Sequence, residues 1–144
     1  IVATETSTVT FLSVPGFGPI ISAVFLAYVG DIKNYTHSGQ LTKLAGLDLE
    51  YAQSGRYHGQ ASISKKGCSV LRYALCHATK ISLKNKLIKA YFEKELKLRG
   101  GTKTAKAKLH IKFVDKLLRS VYTILDKQES FNVAQFLNPV KQAC

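Results

Sequence analysis

Apolar residues recur at helical spacing along most of this chain. The periodicity predicts five helices, at Pro19–Val29, Thr36–Gly46, Ser69–Lys80, Leu83–Leu98 and Lys103 to about Leu125. Gly30 follows the first of these and Gly100-Gly101 separates the last two, which are positions where glycine commonly ends a helix. We therefore expect an all-α or mostly α fold.

The helical period is broken between Leu47 and Gly67, where glycines, hydroxyl side chains and basic residues are concentrated. Within this stretch, residues 51–64 are predicted to form either a loop or a small β-hairpin. We expect residues 1–128 to form one domain, with basic helices over 69–125. Residues 129–144 form a tail that has weak helical character and no recognisable motif.

The segment Val14-Pro15-Gly16-Phe17-Gly18-Pro19 predicts a tight turn that leads directly into a helix. Gly16 and Gly18 allow a positive φ and a close approach of another backbone. Apolar helices on both sides would make a helix-hairpin-helix at about residues 6–30. Its free N–H groups could then bind a phosphate of nucleic acid. An ordinary Pro/Gly turn between two core helices is the alternative.

The net charge of +12 is unevenly distributed. Residues 1–55 hold two Lys against four acidic residues, and residues 120–144 balance at zero. Residues 56–119 hold 17 Lys and Arg against three acidic residues, a net charge of +14. Such an asymmetry favours a polyanionic partner, and we expect nucleic acid rather than an anionic membrane. A merely solvated basic surface is the remaining alternative.

The last predicted helix has one basic face and one apolar face. The basic face, called here the basic stripe, consists of Lys108, Lys112, Lys116 and Arg119. We expect the stripe to lie along phosphates while the opposite face packs on the domain. A solvated basic face is the alternative. His110 falls within the apolar arc, which favours a core histidine over a ligand.

Cysteine usage and the N-terminus indicate an intracellular location. The three Cys have no metal-binding spacing and are expected to be reduced thiols. The sequence shows no signal peptide and starts with Ile1, which suggests a fragment or processed product of a soluble, cytoplasmic protein.

Six short motifs in register carry a family resemblance. They are Pro15–Pro19, Gly30-Asp31, Leu41–Asp48, Gln53–Gly55, Gly59–Gly67 and Leu71-Arg72. In this order and spacing, the sequence resembles the C-terminal transposase domain of the Piv-like insertion-sequence transposases. That family includes the pilin-gene invertase and the bridge-RNA-guided recombinases, and the resemblance covers roughly residues 10–125.

The resemblance implies a division of work between two domains. In the family, a RuvC-like N-terminal domain holds magnesium with four acidic residues, whereas the C-terminal domain supplies a helix-hairpin-helix, a basic surface and a nucleophilic serine. The matching serine is Ser54, and a nucleophilic serine needs activation by a base or a metal. The basic residues around it that would bind phosphate are Arg56, Lys65, Lys66 and Arg72.

The implied partners are DNA, guide RNA, the RuvC-like domain and further copies of the protein, with no membrane involved. No metal ligands are expected in this chain, so magnesium belongs to the full-length protein. The implied location is the nucleoid of a bacterial or archaeal cell. The fragment alone is expected to be inactive in strand cleavage and rejoining.

Four positions depart from the family pattern. Ser62 replaces a frequent Arg, Tyr73 a second Arg, Cys68 an Asn and Leu49 a Pro. These changes weaken the expected phosphate-binding set without removing Ser54. A non-catalytic DNA- or RNA-binding helix-hairpin-helix module, with Ser54-Gly55 as plain turn residues, therefore remains the alternative function.

Overall fold

The computed structural model describes residues 10–51, 53–54, 57–59 and 61–138, with residues 53–54 and 57–58 described through their backbone. Residues 10–12 are helical, and the six helices that follow are α1 (Pro19–Val29), α2 (Ser38–Leu44), α3 (Ser69–Ser82), α4 (Lys86–Leu98), α5 (Lys103–Lys127) and α6 (Val133–Leu137). A 3-10 helix occupies Ile32–Asn34. The four short strands are β1 (Leu49–Glu50), β2 (Gln53–Ser54), β3 (Tyr57–His58) and β4 (Ser62–Ile63).

Helix α5 lies at the centre of the fold. It packs against α2, α3, α4 and α6, while α1 packs against α3. The apolar face of α5 is fully buried through Leu109, Phe113, Val114, Leu117, Leu118 and Val121. On the opposite side of α5, Lys108, Lys112 and Arg119 are exposed, as the 3.6-residue period requires. The mostly α fold expected from the sequence is confirmed.

The predicted helices agree with the observed ones to within a few residues. The prediction for α1 is identical to the observed Pro19–Val29, and α5 extends only two residues beyond Leu125. Helix α4 starts later than expected, at Lys86, because the Asn85 side chain caps it by accepting hydrogen bonds from the Leu87 and Ile88 N–H groups. None of the described helices combines the length and apolar character needed to cross a membrane.

The turn before α1 is a packed corner of the core. Phe11, Phe17 and Phe25 form a cluster of three rings whose centroids lie 5.3 to 5.8 Å apart. Gly16 has φ +95, and a Cβ built on it would lie 2.1 Å from the Ala78 carbonyl oxygen of α3. Glycine is required there for both reasons. The helical residues 10–12 and α1 lie on either side of this corner.

Residues 49–63 contain two short antiparallel strand pairs. Leu49 lies opposite Ile63 at the base, and Ser54 lies opposite Tyr57 near the far end. Between these two pairs, five residues along the first arm correspond to six along the second, so the two pairs differ in register by one residue. A shift of this kind is typical of a β-bulge. Of the two alternatives for this stretch, the hairpin is the one observed.

Two glycines bring the chain before the hairpin against the chain after it. A Cβ on Gly67 would lie 2.3 Å from both the Gly46 nitrogen and the Leu44 oxygen. The Cys68 N–H donates to the Leu44 carbonyl at 2.7 Å, and the Lys65 N–H donates to the Gly46 carbonyl at 3.1 Å. This glycine contact joins the end of α2 to the start of α3, with the hairpin between them.

The C-terminal segment packs back onto the domain. The Phe131 N–H donates to the Ser13 hydroxyl at 3.1 Å, and Phe136 is buried against Phe113 of α5. Asn132 caps α6 by accepting from the Ala134 and Gln135 N–H groups. The weak helical character predicted for the tail thus corresponds to a docked helix up to Leu137. Residues 139–144 lie outside the described part.

Replacement of Gly16 by alanine is expected to destabilise the domain by about 2 kcal/mol or more. The new Cβ would strike a backbone carbonyl that cannot move independently, and the positive φ adds strain. Gly18→Ala is the matched control, because Gly18 has φ −80 and open space around its Cβ position. Its effect should stay within about 0.5 kcal/mol, since a weaker N-cap is offset by reduced entropy of the unfolded chain. Urea denaturation of both variants measures the difference, and equal stabilities would contradict the packing role of Gly16.

Candidate nucleic-acid interface

The base of the hairpin is held by Asp48 and Ser64. The Ser64 hydroxyl donates to the Asp48 carboxylate at 2.6 Å, and the Ser64 N–H donates to the Asp48 carbonyl at 2.8 Å. Lys65 follows with φ +56, a left-handed conformation that is uncommon outside glycine. Its side chain is exposed. The hairpin base is therefore rigid, and it presents the Lys65 cation to solvent.

Lys66 forms an exposed ion pair with Glu50 of β1. The Nζ–Oε1 distance is 2.6 Å, and 77% of the Lys66 side chain is exposed. The hydrogen bond and the charge of Glu50 raise the pKa of Lys66 above its usual value. An exposed pair of this kind contributes little to stability because water and salt screen it. Lys66 can therefore exchange Glu50 for a phosphate at small cost.

Arg72 makes a hydrogen bond within the fold as well as carrying a positive charge. Its Nη1 donates to the Ala45 carbonyl at 3.0 Å, at the C-terminal end of α2. A cation is favourable there because the carbonyl end of a helix carries partial negative charge. The half-buried guanidinium thus fixes α3 to α2 beside the glycine contact. Since guanidinium has five N–H donors, this single bond leaves others for a ligand.

The predicted nucleophile lies at the far end of the hairpin. Ser54 belongs to β2 and is paired with Tyr57 of β3. Gly55 and Arg56, which connect these two residues, lie outside the described residues. The structure therefore gives the backbone position of Ser54, which lies five residues along the hairpin from Leu49.

The two turn glycines differ in their surroundings. Gly16 is pressed against α3, so its backbone faces the domain interior on one side. Gly18 is the N-cap of α1 and has no neighbouring atom within 4 Å of its Cβ position. Ile20, in the first turn of α1, is 81% exposed. The open side of this corner is therefore at the start of α1.

Within the basic stripe, Lys116 is engaged by the protein itself. Its Nζ lies 4.7 Å from the Tyr91 ring centroid and 5.0 Å from that of Phe136. It also donates to the Leu137 carbonyl at 3.5 Å, a long hydrogen bond. Burial, assisted by the charge of Lys112, lowers the pKa of Lys116. Lys116 therefore holds α4, α5 and α6 together, a role that its spacing in the sequence does not reveal.

The other members of the basic stripe have exposed side chains. Arg119 donates to the Asp115 carboxylate at 2.8 Å, and that carboxylate also accepts from the Thr42 hydroxyl. Lys108 and Lys112 have exposed side chains. Lys112, Lys116 and Arg119 line a groove of about 600 Å³ between α5 and residues 129–136. The candidate cations thus lie in two groups, one beside the glycine contact and one along α5.

Partial burial perturbs two titratable groups, one on α5 and one on α3. Burial, with the charge of Lys80 adding to it, lowers the pKa of His110 on α5. Its Nε2 is buried without a hydrogen-bond partner. Burial also raises the pKa of the Cys76 thiol. Both groups are favoured in their neutral forms, and His110 is partly buried beside the core rather than within it.

The described residues offer no magnesium site. Across 10–51, 53–54, 57–59 and 61–138, no three His, Cys, Asp or Glu side chains are grouped as metal ligands. Magnesium requires near-octahedral oxygen coordination, usually with one or two carboxylates. Near the candidate site, Asp48 accepts a hydrogen bond from Ser64 and Glu50 forms an ion pair with Lys66.

Helix α3 carries an exposed aromatic pair that is not among the residues predicted from the sequence. Tyr73 and His77 of α3 stack with their ring centroids 6.2 Å apart and their planes 12° apart. The sequence signal was present in their spacing of four residues, which places side chains together on a helix. Tyr73 was noted only as a departure from a family pattern.

Lys116→Ala is expected to destabilise the domain by about 1 kcal/mol, because it removes the cation from the Tyr91 and Phe136 rings. The matched control is Lys112→Ala, one turn earlier on the same stripe, where the side chain is exposed. A surface substitution of that kind should change stability by less than about 0.5 kcal/mol. Thermal unfolding monitored by circular dichroism compares the two, and equal losses would contradict the contact assigned to Lys116.

Comparison with known proteins places this fold in a transposase family. A family model described as "Transposase IS116/IS110/IS902 family" matches residues 9–93, more than half of the chain. The chain is also similar to the "Insertion element IS116 uncharacterized 44.8 kDa protein" of Streptomyces clavuligerus. The two are 45% identical over 47 residues, which are 33% of this chain and only 12% of that relative's length. On the strength of the family match, this chain belongs to the IS116/IS110/IS902 family of transposases.

Proposed function

We propose that this chain binds DNA for a transposase or recombinase and supplies Ser54 as the nucleophile in strand cleavage and rejoining. The observation that carries the proposal is the position of Ser54. It lies at the far end of a hairpin whose base is fixed by the glycine contact and flanked by Lys65 and Lys66. With Lys65 and Lys66 holding the DNA backbone at the hairpin base, a serine at the far end would attack a phosphodiester farther along the strand.

The chemical step would transfer a phosphoryl group to serine. The Ser54 hydroxyl oxygen attacks the phosphorus, the bond to one DNA oxygen breaks, and the serine proton passes to a general base. The released strand end takes up a proton and becomes a hydroxyl. Attack by a strand-end hydroxyl on the phosphoserine reverses these changes and rejoins the DNA.

The division of work between domains is part of the proposal. In this proposal a RuvC-like domain supplies the metal and the general base. In this arrangement the present chain binds and positions DNA, and it is inactive by itself. Gly18 at the start of α1 would receive one phosphate in a helix-hairpin-helix, with Gly16 shaping the turn. Guide RNA and further copies of the protein are additional proposed partners.

The exposed cations would supply most of the DNA affinity. Lys65, Lys66, Lys112 and Arg119 carry exposed side chains, of which Lys66 pairs with Glu50 and Arg119 with Asp115, whereas Lys116 is partly buried against aromatic rings. Contacts to phosphate release counterions, so binding weakens as salt is raised and depends little on base sequence. Arg56, two residues after Ser54, would add a positive charge near the nucleophile. Arg72 would bind a phosphate beside the glycine contact.

Substitution of both Lys65 and Lys66 by alanine is expected to weaken duplex DNA binding and to flatten its salt dependence. The slope of log K against log salt should fall in magnitude by about 1.8, since each phosphate contact contributes roughly 0.9. The matched control replaces Lys33 and Lys127, two exposed lysines outside the basic segment 56–119. Fluorescence anisotropy over a series of salt concentrations measures both. Equal slopes for the two double variants would contradict a phosphate contact at Lys65 and Lys66.

Ser54→Ala is expected to abolish strand cleavage, with a loss of more than about 10³-fold, when the chain acts together with its RuvC-like domain. DNA affinity should stay unchanged, and the covalent protein–DNA adduct seen on denaturing gels with wild type should disappear. Ser62→Ala is the matched control, because Ser62 is an exposed serine on β4 of the same hairpin. Cleavage and joining by the Ser54→Ala protein at the wild-type rate would leave non-catalytic nucleic-acid binding as the function.

A further inference from the structure

Helix α3 presents an exposed face that combines aromatic and basic side chains. Its members are Ser69, Val70, Tyr73, His77 and Lys80, and all are exposed. They fall within a 100° arc of the helix, as spacings of three and four residues require. We call this set the outer face of α3. The opposite side of the helix is buried against α1 and α5.

The two rings on this face lie nearly parallel to each other and are open to solvent. Tyr73 is 73% exposed, although its ring stacks on His77 with a centroid separation of 6.2 Å. Because the two rings already lie against each other, they lose less side-chain freedom than two separate rings when a ligand stacks on them. An exposed aromatic surface of this kind is suited to a flat, apolar ligand group.

The charge around the rings indicates which ligand that is. Residues 51–92 contain eight Lys and Arg but no Asp or Glu. Lys80 lies seven residues after Tyr73, on the order of 10 Å along the helix axis. Lys84 follows just beyond the end of α3 and is also exposed. A ligand that fits the face therefore carries both flat rings and regularly spaced negative charges.

Single-stranded nucleic acid has this combination, whereas duplex DNA covers the faces of its bases by stacking within the helix. Proteins that bind single strands place aromatic side chains next to cations that contact the backbone. We propose that the outer face of α3 binds an unpaired segment of the DNA substrate, with one base stacked on Tyr73 and His77 and the adjoining phosphates at Lys80 and Lys84. This inference rests on the proposed DNA-binding function and specifies the form of the DNA.

The first experiment uses the absence of tryptophan from this chain. Tyr73→Trp provides a single reporter on the outer face, and Tyr28→Trp places the matched reporter on α1, at a tyrosine that is 47% exposed. Titration with single-stranded oligothymidine should quench the fluorescence of Trp at position 73 in a saturable, salt-sensitive manner. The reporter at position 28 should change little. A blunt duplex of the same length should leave the reporter at position 73 largely unquenched.

The second experiment measures affinity with the tyrosine ring present or absent. Tyr73→Ala should weaken binding of single-stranded oligothymidine by about tenfold, the expected loss of one stacked base. Tyr73→Phe keeps the ring and should bind as wild type does, and duplex affinity should be the same in all three proteins. Because the side chain is exposed, thermal unfolding of these variants should coincide with that of wild type.

The outcomes separate this inference from the proposed function. Duplex binding by wild type, with no loss of single-strand affinity in Tyr73→Ala, overturns the inference and leaves the proposed function standing. Stronger quenching of the position 73 reporter by single-stranded oligouridine RNA than by oligothymidine also overturns it, since the face would then serve RNA. Failure of wild type to bind either form of DNA overturns the proposed function, and the inference with it.

Discussion

The close approach of Gly46 and Gly67 determines the arrangement of the candidate site. Any side chain at Gly67 would meet the Gly46 nitrogen and the Leu44 oxygen at 2.3 Å, so the two chain segments touch through their backbones. The Cys68 N–H bond to the Leu44 carbonyl closes this contact directly before α3 begins. The hairpin is thereby held at its base, and the start of α3 is fixed relative to the end of α2. Arg72 adds a bond between the same two helices.

The helices could be predicted because their signals are local. An apolar run after Pro19 and before Gly30 gave α1 its observed bounds, and the amphipathic period gave α5 nearly its full length. For residues 51–64, the sequence alone could not decide between a loop and a β-hairpin. Its four strands have two residues each, too short for an alternating pattern, and its pairing depends on a contact between residues 46 and 67. Contacts of that range are set by the whole fold rather than by neighbouring residues.

The candidate site was predicted less completely than the fold, for a related reason. A helical wheel gives Lys112 and Lys116 the same role, but it does not show that Phe136 returns to lie beside Lys116. Likewise, the sequence shows that Gly16 can adopt a positive φ, but not that Ala78 lies against it. Charge and spacing identify which residues are able to bind phosphate. Only the packed structure shows which of them already have a partner within the protein.

The hairpin and the outer face of α3 start from the same fixed point. Tyr73 lies six residues after Gly67, in the second turn of α3, while the hairpin leaves the glycine contact on its other side. Both features are therefore held in a constant relation by backbone contacts rather than by flexible side chains. A strand held open by stacking at Tyr73 would enter the site close to the hairpin base, beside Lys65 and Lys66. An unpaired strand is easier to bend toward Ser54 than a stacked duplex, whose deformation costs energy. If both proposals hold, the outer face of α3 would keep the strand unpaired and Ser54 would then cut it.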